Sequence, residues 1–537
     1  MFETRTLKRN SMLCALLFLA ALGVVPAIGC RAPLSRVRIA LQRHREAVEK
    51  LPEETQTPLP VLLTEDAAAE CVENMVSGDA LTLDTARRIA IRSNPDIHAA
   101  QARLENARWR IAEARSAFLP TLVLTHNWTK TFHTPASRNR LNTALQPAST
   151  LPTDVSTQGL AVTTLLNAIR GPLFGLGKAQ GDRNPFSEHS TAFTVSWTVF
   201  DGFVREARLL AAKHLHHASK AALVDAKRLI IQAVDAAYYQ VQFAEEQLRI
   251  AEADEVFSLE QLEETEKLRA AGRATIADVA NFRVRMLSAR ANVTAARGAR
   301  ETGRVVLTEL LGADVDTLNS ELQLSPLEDE TEENMTTPDP GPWIERAMTN
   351  RPDIQQIENV LRSDAEQIRA AKGLYVPSIA VSGSWGYDRS SNIRYSVEDQ
   401  SSAAGLEFRW ELYSGGYRRS RVHQAESSRA ETSAKLSRLR LAVQSQVRQA
   451  VIDLENAQEQ IVLRREALDT AAENRRVVQV GYVAGKETLT RLNEVQRDFI
   501  TAEADLALAR VRLRQAWSDL HAAAATYPEM NGGSNPD

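Results

Sequence analysis

Apolar residues follow two rhythms along this chain, and the first is helical. From Val204 to Ala271 run 68 residues without a Gly or Pro, so nothing forces a helix there to stop. The apolar seam is Ile230, Val234, Ala237, Val241, Ala244, Leu248 and Ala251, in steps of four and three. That is coiled-coil spacing, and its alanines allow close helix approach. As one helix the stretch would be about 100 Å long, at about 1.5 Å per residue. It ends at Gly272, and a second helical pattern starts at Thr275, which predicts a long helical hairpin.

The same stretch occurs again 213 residues later. The seam recurs as Val443, Val447, Ala450, Leu454, Ala457 and Ile461, and only Arg464 departs from it. Gly272 and Thr275 recur as Gly485 and Thr488. Upstream the offset is 257: Asn94-Pro95-Asp96-Ile97 recurs as Arg351-Pro352-Asp353-Ile354, and Phe118-Leu119-Pro120 as Tyr375-Val376-Pro377. Each Pro-Asp-Ile start predicts a helix, 96–119 in the first half. A repeat this large fixes the architecture before any motif is weighed.

After each helix the period becomes two. Leu122, Leu124 and Trp128 alternate with Thr121, Val123, Thr125, Asn127 and Thr129; Phe193, Val195, Trp197 and Val199 alternate with Thr194, Ser196 and Thr198. In the second half Ile379, Val381, Trp385 and Tyr387 alternate with Ser378, Ala380, Ser382 and Ser384. Leu406, Phe408, Trp410 and Leu412 alternate with Glu407, Arg409 and Glu411. Each run is long enough to cross a bilayer as a tilted strand and carries one Trp, the residue that barrels place at the interface. Trp197, Val199, Leu406, Phe408, Trp410 and Leu412 are expected to face lipid, and Glu407, Arg409 and Glu411 the lumen. A soluble sheet with one wet face gives the same alternation, but leaves the neighbouring hundred-ångström helices unexplained. Four strands cannot close, and open edges are not tolerated in hydrocarbon. The chain must therefore oligomerise, with two, three or four copies open on this argument alone. The change of offset leaves 44 extra residues between Thr129 and Ser190, an enlarged surface loop.

The beginning of the chain adds an address. Arg5, Lys8 and Arg9 precede the short apolar run Met12–Leu22, as in an export signal too short to span a membrane. The segment closes Ala27-Ile28-Gly29-Cys30, which resembles a lipobox with Cys30 as the lipidated residue, although the usual Leu is Ala27 here. Cys71 would then be the sole mature thiol, which excludes a disulfide framework. Composition excludes more than it proposes: a net charge of −4 gives no reason to expect nucleic acid. The acidic connector, with Glu328, Asp329, Glu330, Glu332 and Glu333, reads as solvated. Catalytic signals are weak. Gly175-Leu176-Gly177-Lys178 lacks the spacing and hydroxyl of a phosphate loop. His214 and His217 lack a carboxylate at ligand spacing. No cofactor or metal is expected beyond the covalent lipid.

Two copies of helix, strand, strand, long helix, Gly turn and helix behind a lipobox resemble the TolC-like outer membrane efflux factor family. Phe200-Asp201-Gly202 and Tyr413-Ser414-Gly415-Gly416, where strand becomes helix, carry the resemblance further, over residues 81–527. It implies a mainly α fold with a transmembrane β-barrel: a homotrimer whose twelve-stranded barrel continues into a twelve-helix barrel. The chain then divides into signal peptide (1–29), lipidated tether (30–80), first repeat (81–312, with the enlarged loop at 130–189), acidic connector (313–341), second repeat (342–527) and tail (528–537).

The implied function is a passive exit duct of an efflux or type I secretion system in the outer membrane, not an enzyme. Its partners would be a periplasmic adaptor, an inner-membrane pump of RND or ABC type, and outer-membrane lipid. Ala271, Gly272, Arg273, Ala484, Gly485 and Lys486 are the expected docking residues. Asp278, Tyr482, Glu487, Arg491 and Glu494 fall where the family often closes its tube. Glu487 stands where Arg is common and Arg491 where Asp is usual, so an Asp278–Arg491 bridge between adjacent helices is expected. The alternative is a lipid-anchored structural coiled coil without a pore, which would need no Trp-bearing strands.

Overall fold

The structure is a computed structural model, described over residues 80–132, 186–272, 274–313, 323–327, 329–332, 334–390 and 397–527. Cys30, Cys71, Gly175–Lys178, Arg273, Glu328, Glu333 and most of the enlarged loop lie outside these residues.

Helices α1 (Leu83–Ser93) and α2 (Pro95–Ser116) lead into strand β1 (Thr121–Thr131), and β2 (Phe186–Phe200) leads into α3 (Val204–Ala270) and α4 (Ile276–Leu311). The second half repeats the order as α5 (Pro340–Asn350), α6 (Pro352–Gly373), β3 (Ser378–Ser390), β4 (Gln400–Arg409), α7 (Tyr417–Val483) and α8 (Leu489–Ala524). Helices α3 and α7 have 67 residues each, and α4 and α8 have 36 each. The repeat starts one helix earlier than the Pro-Asp-Ile motifs, because α1 and α5 also correspond at the 257 offset. Helix α2 ends at Ser116, three residues short of expectation.

The seam behaves as its spacing requires. Val234, Val241, Val443, Val447 and Leu454 are fully buried, while Ile230 and Ala251 at the first seam's ends are half-buried. Arg464 leaves the second seam and pairs with Asp505 at 2.7 Å. Truncating a residue such as Leu454 to Ala would cost about 2–5 kcal/mol.

Short helices stack end to end beside the long ones, and the residue before each Pro makes the joint. Asn94 caps α2 by accepting from the Asp96 N–H at 2.8 Å, and its Nδ2 donates to the Leu310 carbonyl at 2.9 Å. Its counterpart Arg351 donates to the Ala523 carbonyl at 3.1 Å. Leu310 and Ala523 are themselves counterparts, so two different side chains satisfy the same carbonyl in the last turns of α4 and α8.

The connector crosses these helices midway. Leu81 and Leu324 form a parallel bridge, the Tyr238 hydroxyl donates to the Leu81 carbonyl at 2.8 Å, and Gln242 donates to the Ser325 carbonyl at 2.6 Å. Gln458 and Trp517 both donate to the Asn334 carbonyl at 3.0 Å. Among its described residues, the acidic run departs here from the solvated reading at Glu330 alone, since Asp329 and Glu332 are exposed. The Glu330 side chain is only 5% exposed and is held by Arg510 and Arg465. Burial pushes its carboxyl up, but its own backbone N–H and the two guanidiniums outweigh burial and hold it below the ordinary range.

Candidate functional site: the sheet face and the hairpin tips

The four strands form one antiparallel sheet in the order β1-β2-β3-β4. Residues opposite each other in an antiparallel ladder share a face, so the register decides which residues line up. One face carries the rows Leu122–Val195–Gly383–Ala404, Leu124–Phe193–Trp385–Ser402, Trp197–Val381–Leu406 and Phe200–Ile379–Phe408. The other carries Thr121–Ser196–Ser382–Gly405, Val123–Thr194–Ser384–Ala403 and Thr198–Ala380–Glu407. One face is apolar and aromatic, the other small and polar. Strands β1 and β4 are the edges and are exposed almost throughout.

Glu407 and Arg409 lie on the polar face and pair with each other at 2.6 Å. Four expected positions change. Strand β4 ends at Arg409, so Trp410, Glu411 and Leu412 are outside the sheet, and Glu411 is not a strand residue facing a lumen. The reason is local: Arg409 pairs with Ser378, and the next position on β3's side is Pro377, which has no N–H to donate. Val199 is the extra residue of a bulge between Thr198 and Phe200, and Phe200 takes its place opposite Ile379.

Below the sheet, each strand-to-helix junction is built twice to the same plan. Trp197 Nε1 donates to the Phe118 carbonyl at 3.0 Å, and Trp410 Nε1 to the Tyr375 carbonyl at 3.2 Å. Arg205 lies over the Phe118 ring at 5.0 Å, and Arg418 over Tyr375 at 5.1 Å. Sequence reasoning quoted all four aromatics but missed the arginines, whose shared offset of 213 was the available signal.

At the far end of the helices lie the two hairpin turns. Gly272 and Gly485 take φ of 74° and 71°, a left-handed conformation that favours glycine. Ala271, Gly272, Ala484, Gly485 and Lys486 are exposed, beside the exposed apolar side chains Ile276, Val480 and Val483, which sequence reasoning did not single out.

The expected gate residues are brought to this end but are partnered differently. Asp278 closes a capping box with Thr275, accepting from its N–H at 2.8 Å and its hydroxyl at 2.7 Å. These bonds hold its carboxyl below the usual range, the backbone bond foremost. Arg491 pairs with Glu494 at 3.3 Å. Among the described residues, then, the Asp278–Arg491 bridge is not formed within the chain. Glu487 packs where Gly481 leaves room, since a Cβ there would lie 2.7 Å from Glu487 Cγ.

What joins the two hairpins is a cluster that sequence reasoning missed. Leu262, Val279, Phe282, Val478, Leu492 and Val495 bury one another, and Phe282 meets Tyr482 edge-on at 6.5 Å. Arg285 of α4 donates to the Asn493 carbonyl at 3.2 Å and to its side-chain oxygen at 3.0 Å. Asp254 of α3 accepts from Gln496 at 3.0 Å and lies 3.8 Å from Arg285. Burial lowers the Arg285 guanidinium, Asp254 opposing and Arg497 reinforcing the shift.

The histidines gain a carboxylate neighbour that spacing did not reveal. Glu366 of α6 lies close enough to His214 to act on its charge, although burial dominates and lowers the imidazole. No group of three metal-ligating side chains occurs among the described residues. No described helix is long and apolar enough to cross a membrane.

A sheet apolar on one face and open at both edges, fused end-on to two helical hairpins, defines a channel subunit of the outer-membrane type. The chain belongs to the outer membrane efflux protein family, matching it over residues 87–313 and 343–526, the two repeats. It is 27% identical to protein CyaE of Bordetella pertussis over 356 residues, 65% of this chain and 72% of that one. It is 24% identical to outer membrane protein TolC of Escherichia coli over 373 residues, 64% and 73% of the two chains. The fold is similar to that of the Campylobacter jejuni CmeC outer membrane channel, with a TM-score of 0.66 at 14% identity, covering 88% of this chain and 90% of that one. The outer membrane protein VceC of Vibrio cholerae gives 0.62 at 16% identity, covering 82% and 95%.

Proposed function

We propose that this chain is one subunit of a homotrimeric, passive exit duct of a tripartite efflux or type I secretion system. The observation that carries the reading is the sheet: one apolar face, one polar face and two open edges. Membrane strands need every backbone group paired, and three copies of four strands exceed the roughly eight at which closed barrels begin. The apolar face then meets outer-membrane lipid, Glu407 and Arg409 line the lumen, and the helices continue the tube across the periplasm. Cys30 carries the lipid anchor. The exposed turns at Gly272 and Gly485, with Ile276 and Val483 beside them, dock onto a periplasmic adaptor that couples the duct to an inner-membrane pump of RND or ABC type. The duct performs no chemistry.

The tips form the gate. The clasp of Arg285, Asn493, Asp254 and Gln496 with the Phe282–Tyr482 contact supports a narrow tip, because both hairpins must part there to widen it. Asp278, Glu487, Arg491 and Glu494 surround this clasp as charged lining. The test is planar-bilayer conductance of the purified full-length protein with native mass measurement. A conducting trimer is expected, and a non-conducting assembly would restore the coiled-coil alternative. Labelled palmitate that persists in Cys30→Ala would overturn the anchor alone.

A further inference from the structure

The apolar face changes character towards the strand ends remote from the helices. Beyond the Leu124–Phe193–Trp385 row come His126–Thr191–Tyr387–Gln400, then Trp128–His189–Arg389, then Lys130 opposite Ser187. At the same heights the polar face carries Asn127–Ser190–Asp388 and Thr129–Glu188. Charge is thus sorted across the sheet: Lys130, Arg389 and two histidines on one side, Glu188 and Asp388 on the other. Among the described residues, Asp399 comes to the cationic side, where it pairs with Arg389 at 2.6 Å. His126 bonds the Thr191 hydroxyl at 2.7 Å, and His189 stacks on Trp128 at 6.3 Å. Two buried nitrogens remain unspent: His189 Nδ1 and Arg389 Nε have no hydrogen-bond partner, His189 being only 8% exposed. They belong to directly opposed residues of β2 and β3.

The height of this rim is set by the strands. From Trp197 to His189 is eight residues, about 26 Å along a strand at about 3.3 Å per residue. With a tilt of about 40° that is about 20 Å along the membrane normal, and Lys130 lies about 5 Å further out. The apolar band of such barrels is about 25 Å tall. The rim therefore falls where hydrocarbon gives way to headgroups at the outer surface.

We propose that this rim binds the phosphate groups of the anionic glycolipid that forms the outer leaflet. The proposal rests on the duct reading, which sets the sheet in the outer membrane with its helices on the periplasmic side. His189 and Arg389 supply buried nitrogens to the phosphate oxygens, Lys130 supplies outlying charge, and Trp128 and His126 pack against the sugar and upper acyl region. Charge-assisted hydrogen bonds of this kind are the strong ones. Among the described strand residues of this side no acid is present, and Asp399 beside it is neutralised by Arg389.

The experiment uses the full-length protein in detergent, with bisphosphorylated and dephosphorylated lipid A as probes and bound lipid counted by native mass spectrometry. Wild type should retain the phosphorylated lipid about ten-fold better, as two charge-assisted bonds allow. His189→Gln combined with Arg389→Gln should abolish the preference, and the exposed Lys130→Gln alone should weaken it about three-fold. Glu188→Gln, at the same height on the polar face, should leave it intact. Equal retention of the two lipids by wild type, or a preference unchanged in both variants, would overturn the proposal. Displacement by inorganic phosphate as effective as by the lipid would also overturn it, in favour of a free-anion site. Conductance of the same preparations separates the two readings, since a conducting channel without the preference sinks the rim alone.

Discussion

At Gly312 and Ala525 one left-handed turn is met by two different residues. Gly312 ends α4 with φ of 70° and its counterpart Ala525 ends α8 with φ of 53°. A non-glycine residue held there costs about 1–3 kcal/mol, partly offset by the greater freedom glycine has when unfolded. Ala525→Gly should therefore stabilise the protein by about 0.5–1 kcal/mol, seen as a later onset of thermal unfolding. Gly312→Ala should do more than the reverse, because its Cβ would meet the Ser93 carbonyl oxygen at 2.6 Å. Asp278 offers a second residue-scale test. Its carboxyl is depressed by the capping bonds, so its contribution is present above the unfolded value near pH 4 and is lost as pH falls through the lower folded value. Asp278→Asn should speed amide exchange at the start of α4 at neutral pH, and the difference should vanish in acid. Part of this scale was legible: Thr275 as a helix start and the turn glycines follow from spacing alone. The Asn94 and Arg351 bonds were not, because an amide and a guanidinium share no pattern in one dimension and meet the same carbonyl only once α2 and α6 stack on α4 and α8.

The elements were legible to within a few residues wherever a periodic pattern ran uninterrupted, which is why α3 and α7 ended where Gly272 and Gly485 required. Strand ends were less legible. Alternation continues past Arg409 to Leu412, yet pairing stops where Pro377 withdraws its N–H, and periodicity carries no record of a partner's missing donor. The register also moves the membrane's middle. Phe408 lies opposite Ile379, one row beyond the Trp197 row on the helix side, so it sits at the inner boundary. Phe193, between Trp197 and the outer rim, is nearer the midplane. Phe193→Arg should cost about 2–4 kcal/mol of barrel stability, whereas Phe408→Arg should cost about 0–1. Glu407→Gln should barely register, though it breaks a pair with Arg409, since both side chains are exposed. Urea-dependent folding into lipid vesicles would rank the three, and equal costs for the two arginine variants would mean this face does not contact lipid.

The whole molecule is organised by what its halves share and where they differ. The repeat was plain in the sequence because both long helices keep one register, but the contacts that cross between halves break the symmetry and left no periodic trace. Asp235, fully buried, takes two bonds of 2.7 Å from Arg87 and one from Ser518, tying α1, α3 and α8. Its counterpart in the second half is the exposed Arg448. The hairpin clasp is asymmetric too, since Arg285 of α4 reaches Asn493 of α8. A ring in which the helices simply run side by side gives α4 and α8 no reason to touch, because α3 lies between them; their contact at the tips indicates that the hairpins converge there. On the proposed gate, opening the tube breaks the Arg285–Asn493 bonds and exposes part of the Phe282 cluster. A charge-assisted hydrogen bond contributes about 1.5–3 kcal/mol, so Arg285→Ala should raise the open probability of the purified channel about ten-fold or more at unchanged full conductance. Asn493→Ala removes the side-chain acceptor but leaves the carbonyl, and should have a smaller effect in the same direction. Combining it with Arg285→Ala should add little, since both act on one bond network. Arg249→Ala is the control: its pairs with Glu246 of α3 and Glu503 of α8 lie farther from the turns with the arginine exposed, and should shift gating little. Single-channel records in which Arg285→Ala and Arg249→Ala match wild type would remove the clasp from the gate and leave it a structural joint.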